Sequence, residues 1–245
     1  MKTNLSNTRF FALLFIFSLF AVSCNAQYGT RIKGNGKLVT QNRSVGNFDE
    51  LSAGGSFEIT LVNGKEGEMT ITADENLMEY IETEVDGGML KIRWKKNYNI
   101  STSNTTEIKL AVEQISGVTL SGSGGIESEK QLVSENFQVT VSGSSDVDLD
   151  LEVTNLKLAI SGSGNMDLNG KTNHMEASIS GSGEIDAKDL DSKTAELSVS
   201  GSGDIKLRVS EQLKARVSGS GDIEYSGNPK IEDVKVSGSG EVKKV

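Results

Sequence analysis

A four-residue run, Ser-Gly-Ser-Gly, returns along this chain at a nearly fixed interval. It begins at Ser121, Ser161, Ser180, Ser200, Ser218 and Ser237, with a Ser-Gly-Ser-Ser variant at Ser142. Successive starts lie 21, 19, 19, 20, 18 and 19 residues apart. A flexible Gly/Ser linker has neither a period nor an aliphatic frame. Here each run sits inside one frame, as in Leu158, Ile160, Gly162, Gly164, Met166 and Leu168, then Leu197, Val199, Gly201, Gly203, Ile205 and Leu207. The members of each set share parity. Alternate side chains of an extended chain point the same way, so the aliphatics and both glycines are expected on one face and the serines on the other. Glycine in mid-strand implies a corner. Either its inside is too narrow for a Cβ, or the glycines supply positive φ for a turn.

A period near 19 residues suits one coil of a parallel β-helix and is too short for a four-stranded propeller blade. One coil cannot bury its own apolar face, so neighbours must stack. Four or five aliphatics per coil, at roughly 1.5–3 kcal/mol each, oppose the chain entropy. Left-handed hexapeptide coils would show a six-residue sub-period, which is absent. The expected fold is therefore all-β: a right-handed parallel β-helix, or β-solenoid.

Residues 37–114 are β-rich but less regular. Phe48 to Leu51, Ser52-Ala53-Gly54-Gly55-Ser56 and Phe57 to Leu61 look like a degenerate version of the same corner. Asn63-Gly64 signals a turn and Met69 to Ala73 a strand. Glu75 to Glu82 fits one or two helical turns. Ile81–Val85, Gly87-Gly88 and Met89–Trp94 read as a hairpin. Lys95–Thr105 reads as a polar loop, and Glu107–Val112 as a returning strand. Residues 37–245 are thus taken as one elongated solenoid domain, regular from 115 onward, after a flexible lead at 24–36.

The amino terminus reads as an export signal over residues 1–23. Lys2 and Arg9 precede an apolar run, Phe10 to Val22, that is too short to span a bilayer. The run ends in Ala21-Val22-Ser23-Cys24, which looks like a lipobox, and Cys24 is the only cysteine in the chain. Lipidation of Cys24 is favoured, giving an outer-membrane lipoprotein anchored by acyl chains. The alternative is cleavage after Ala26, giving a secreted or periplasmic protein. One cysteine excludes internal disulfides and CxxC sites. From Cys24 onward 23 basic residues face 34 acidic ones, so nucleic acid is not an expected partner.

The chain combines Phe48-Asp49-x-Leu51-x-Ala53-Gly54-Gly55, Ala73-Asp74-Glu75-Asn76-Leu77, Ile81-Glu82-Thr83-Glu84-Val85, Leu90-Lys91-Ile92, repeated Ser-Gly-Ser-Gly-Asp-Ile, and Tyr225-Ser226-Gly227-Asn228-Pro229. In that combination it resembles a family of exported bacterial proteins, the putative auto-transporter adhesin, head GIN domain. The resemblance covers roughly Phe48 to the carboxyl end. It implies a parallel β-helix-like fold and a secreted or lipoprotein location, and it brings no catalytic residues.

Stacking sets further expectations. The residues after the corners, Gly125, Asn165, Glu184, Asp204, Asp222 and Glu241, should form one column. Asp148, Asp167, Asp186, Lys206, Glu224 and Lys243 should form another. Glu184, Asp204, Asp222 and Glu241 are candidate ligands for a weak calcium strip, since hard cations take carboxylate oxygens. A solvated face whose charges block edge pairing is the favoured reading, so no cofactor is expected. His174, the only histidine, is placed in a polar connector rather than beside a nucleophilic serine. Trp94 and Tyr98 flank Lys95-Lys96, and packing of a hairpin end on the core is preferred to a binding patch.

The expected function is that of a non-catalytic binding, adhesion or scaffold module of the cell envelope, with an envelope protein or glycan as partner. The alternative is a β-helix enzyme acting on polysaccharide through stacked carboxylates. The last repeat, with only Lys243 and Lys244 as a polar cap, is expected to be covered by other chain or to self-associate.

Overall fold

The computed structural model describes residues 29–245; the export signal, Cys24 and the Ala26 cleavage site lie outside the described residues. Strand makes up 72% of what is described and helix 3%. In the less regular part the strands are β1 (Thr30–Lys33), β2 (Leu38–Ser44), β3 (Glu50–Gly55), β4 (Phe57–Val62), β5 (Glu68–Asp74), β6 (Ile81–Asp86), β7 (Met89–Trp94), β8 (Tyr98–Ser101) and β9 (Thr106–Ala111). The regular part holds β10 (Gly117–Gly122), β11 (Gly125–Ser128), β12 (Leu132–Gly143), β13 (Asp146–Gly162), β14 (Asn165–Gly181), β15 (Glu184–Gly201), β16 (Asp204–Gly219), β17 (Ile223–Ser226), β18 (Ile231–Gly238) and β19 (Val242–Lys244). The result is a β-solenoid of about seven turns.

From β10 to β19 every pairing is parallel, and the sequence period is the stacking period. Ser142, Ser161, Ser180, Ser200, Ser218 and Ser237 succeed one another as direct partners. Inside, identical positions build aliphatic columns. One runs Ala53, Leu120, Val141, Ile160, Ile179, Val199, Val217 and Val236. Another runs Ile59, Ile126, Val147, Met166, Ile185, Ile205, Ile223 and Val242. The 20- and 18-residue steps have a local cause. β15 carries three residues between Ala187 and Asp191, where their partners in β16, Leu207 and Arg208, are adjacent, and β16 regains one between Val209 and Gln212, opposite Ser192 and Thr194, so the two coils differ by two residues.

The two corner glycines do different work, which corrects the expectation that both face inward. Gly181 has φ of +136°, and a Cβ there would stand 2.2 Å from the carbonyl oxygen of Gly162 in the coil before. It satisfies the turn, and its empty side points at the neighbouring coil. Gly183 is buried and has no positive φ, and its Cβ would stand 2.3 Å from Gly164 O of the coil before and 2.8 Å from Ile160 Cγ2, so this second glycine answers both the close stacking and the narrow interior. Each coil also has a second corner that the parity reading did not separate. Two successive exposed residues, Thr154-Asn155 in β13 and Asn173-His174 in β14, shift the inward set by one. Buried hydroxyls close this corner on backbone carbonyls, with Thr172 bonding Thr154 O and His174 O and Ser192 bonding Arg208 O.

The amino-terminal part closes one end of the stack. β3 and β4 lie under β10 and β11 in parallel register, with Gly55 beneath Gly122, as the degenerate corner predicts. β7 and β9 pair in parallel beneath β3 and β4. Beyond them the chain reverses: β6 runs antiparallel to β7, β5 to β9, and β2 to β5. The helical turns form as a 3-10 helix over Glu75–Tyr80, and the Gly87-Gly88 hairpin forms as read.

Two segments hold strands that were not expected. Thr30–Lys33 in the lead at 24–36 forms β1, and Lys95–Thr105 is not all loop, because β1 and β8 pair in parallel. The cause is Asp74, which is 1% exposed. Its carboxylate accepts hydrogen bonds from the backbone of Gly36, Ser103 and Asn104 and from the Asn104 side chain. Burial alone would raise its pKa, but these four donors hold it below the usual aspartate value.

Candidate binding surface

Outward positions stack as strictly as inward ones, so side chains one coil apart in sequence become neighbours in space. The first predicted column forms. Asn165 partners Glu184, Glu184 partners Asp204, and the chain continues to Asp222 and Glu241. A specific hydrogen bond explains why acids recur after the last corners. The Asp204 carboxylate accepts from Asp222 N, and the Asp222 carboxylate from Glu241 N, each at 2.8 Å. The sequence reading missed two members, Glu58 and Asp146, which stand on either side of Gly125. Glu58 follows the degenerate corner and Asp146 the variant one, and parity with the neighbouring aliphatics was the available signal.

The second column also forms, as Asp148, Asp167, Asp186, Lys206, Glu224 and Lys243 in direct succession, and it extends to Glu127, which the sequence reading left out. The two columns run side by side at the amino-terminal end of the solenoid and line an open groove of about 550 Å³. Seven carboxylates line it: Glu58, Glu127, Asp146, Asp148, Asp167, Glu184 and Asp186. Coils about 4.8 Å apart put like charges at a separation that costs about 1 kcal/mol per pair in water and more in a partly dried groove.

The titration behaviour follows. Partial burial, then Asp146 and Glu127, push the Glu58 carboxyl above its ordinary value. Burial, then Asp186 and Asp148, do the same to Asp167. Asp186 goes the other way: burial raises it, but hydrogen bonds from Lys188 outweigh that and hold it low. Beyond Asp186 the column changes character. Lys206 pairs with Glu184 at 2.7 Å and Lys243 approaches Glu224 at 3.9 Å. The acidic groove therefore belongs to the earlier coils, and of the four residues singled out as calcium candidates it includes only Glu184. Among the described residues, no three His, Cys, Asp or Glu side chains are grouped to hold a metal ion.

A second groove of about 880 Å³ follows the second corner, lined by Val133, Val153, Thr172, Lys171, Ser192 and Arg208 among others. Its charges are mixed and partly paired, Lys171 with Glu152 and Arg208 with Asp191. His174 lies on β14 at the edge of this corner, not in a connector, and its Nδ1 is 2.8 Å from Thr194 Oγ1. Trp94 packs on Phe57 with ring centroids 4.9 Å apart, as the hairpin-end reading predicts. Tyr98 meets Tyr80 edge-on at 4.8 Å, and Lys95 lies over the Tyr80 ring. Among the described residues no helix is long and apolar enough to cross a membrane.

Comparison with known proteins agrees with this geometry. The family described as putative auto-transporter adhesin, head GIN domain matches residues 47–229. No curated protein matches the chain. Among solved structures, a putative adhesin from Bacteroides fragilis NCTC 9343 is 26% identical with a TM-score of 0.83, covering 87% of this chain and 100% of its own. A putative lipid binding protein from Parabacteroides distasonis ATCC 8503 is 28% identical with a TM-score of 0.74, covering 88% and 100%. A putative adhesin from the same strain is 26% identical with a TM-score of 0.75, again covering 88% and 100%.

Proposed function

We propose that this chain, which belongs to the putative auto-transporter adhesin, head GIN domain family, is an exported, non-catalytic binding module of the cell envelope. The observation that carries the reading is the in-register outward ladder. Each coil repeats the same side-chain positions on a rigid sheet, which suits extended contact with a partner surface rather than enclosure of a small substrate. The corner serines Ser180 and Ser182 are exposed, while His174, the one imidazole in the chain, stands at the other corner and bonds Thr194. A serine without a base in reach is a poor nucleophile. Lipidation of Cys24 completes the reading by holding the solenoid at the membrane, since two or more acyl chains anchor stably.

The test is an envelope-binding and turnover assay on one preparation. The protein with Cys24→Ala, freed of its anchor, is expected to bind envelope vesicles and to leave polysaccharides uncut with or without calcium. The intact chain is expected in the membrane fraction. Turnover that disappears in Asp204→Asn or Asp222→Asn would overturn the non-catalytic reading. Equal membrane recovery of the intact and Cys24→Ala chains after an alkaline carbonate wash, which strips proteins held only by surface binding, would overturn the anchor.

A further inference from the structure

The two ends of the solenoid differ. The amino-terminal end is covered by reversed strands, whereas β18 pairs only with β16, and β19 only with β17. All eight residues of β18 are exposed. Glu232, Val234 and Val236 stand directly over Leu213, Ala215 and Val217, which are buried, so they face the solenoid interior. Val234 and Val236 are nevertheless 41% and 43% exposed. The columns of the core end in open valines.

We infer that this end joins a second copy of the chain through antiparallel pairing of β18 with its own counterpart, about a two-fold axis at Val234. Three features select that register. The first is the backbone. Ser239 N bonds Gly219 O on β16, and strand alternation then turns the N–H and C=O groups of Glu232, Val234 and Val236 away from β16. With Val234 opposite Val234, these even residues meet as Val234 with itself and Glu232 with Val236, which are the hydrogen-bonded pairs of an antiparallel ladder.

The second feature is charge. Asp233, which also pairs with Arg216 of its own copy, meets Lys235 of the second copy twice, once on each side of the axis, and opposite charges directly across a ladder are favourable. The third is facing. Val234 meets Val234 and Glu232 meets Val236 on the inner side, so the valine column continues from one solenoid into the next. Because the opposite end of each solenoid is covered by β6, β5 and β2, the arrangement closes as a dimer instead of growing as a fibre. Glu232 is the opposing element. It faces inward beside the Tyr225 hydroxyl and would sit across from Val236 of the second copy.

Cysteine cross-linking tests the register. In the full chain carrying Cys24→Ala, Val234→Cys leaves one thiol, on the two-fold axis. A hydrogen-bonded antiparallel pair has Cα atoms about 5.5 Å apart, within disulfide range. The expected result is a disulfide dimer on a non-reducing gel, absent from a Val133→Cys control, whose site is 62% exposed but far from β18. Adding Lys235→Asp should cut the cross-linked fraction about tenfold, because both ion pairs become like-charge pairs. The swap Asp233→Lys with Lys235→Asp should restore it. Cross-linking no greater than in the Val133→Cys control, from a chain that melts like its parent, would overturn the inference. So would a swap that folds but fails to restore the dimer.

Discussion

The corner glycines give the sharpest test of how the coils pack. Gly181 combines two demands. Its φ of +136° lies where L side chains rarely go, and its missing Cβ would fall 2.2 Å from Gly162 O. That oxygen belongs to stacked backbone and cannot swing aside like a side-chain tip. Forcing alanine into such a conformation costs about 1–3 kcal/mol, and overpacking against a fixed neighbour adds about 1–3 kcal/mol. Gly181→Ala should therefore lose about 4 kcal/mol, which for a chain of this size lowers Tm by about 8–16 °C. Gly183→Ala meets Gly164 O at 2.3 Å but has no positive φ to satisfy. The equivalent position one coil further back is Ser145, which is buried at 1% exposure, so the site accommodates a small side chain. Gly183→Ala should lose less than Gly181→Ala, and Ser182→Ala, on the exposed face, should lose almost nothing. Thermal melting followed by circular dichroism reads all three. A Gly181→Ala protein melting within about 1 °C of its parent, or the reverse order for the two glycines, would refute the reasoning.

Two electrostatic predictions follow from the acids. Asp74→Ala removes the acceptor for four hydrogen bonds in a buried site and should cost at least about 3 kcal/mol, with early loss of amide protection in β1 and β8. The native carboxyl titrates below its unfolded value, so its contribution is present above the ordinary aspartate pKa and is lost as pH falls through the lower folded one. Asp167 has the opposite sign. Its folded pKa is raised, so its charge opposes folding at neutral pH, and the penalty disappears as pH falls below the ordinary aspartate value. Asp167→Asn should melt above its parent at pH 7, and the gap should close on acidification; a gap that widens in acid would contradict the groove electrostatics.

Much of this fold can be read from the chain because stacking turns one-dimensional periodicity into three-dimensional adjacency. The interval between Ser161 and Ser180 is the number of residues in a coil, and the same interval places Asp148 beside Asp167 and Asp167 beside Asp186. The limits are equally physical. The second corner has no glycine signature, since hydroxyls such as Thr172 and Ser192 close it by bonding carbonyls that only the folded chain brings near. β1 has no apolar alternation, and its order depends on Asp74, more than 40 residues away. The groove was partly visible as two columns. Glu58 was hidden because β10 and β11 return to stack on β3 and β4 only after the chain has gone out through β5 to β9.

The central claim is that residues one period apart occupy equivalent places in successive coils, and removing one period tests it most directly. Deleting residues 161–179 joins Ile160 to Ser180, whose register partners are Ile179 and Ser161. The shortened protein is expected to keep its β circular dichroism and a cooperative melt, and in small-angle scattering its longest dimension should fall by about 4.8 Å, one strand spacing. Complete unfolding of the deleted chain, or a folded protein with no shortening, would contradict the stacked-coil account.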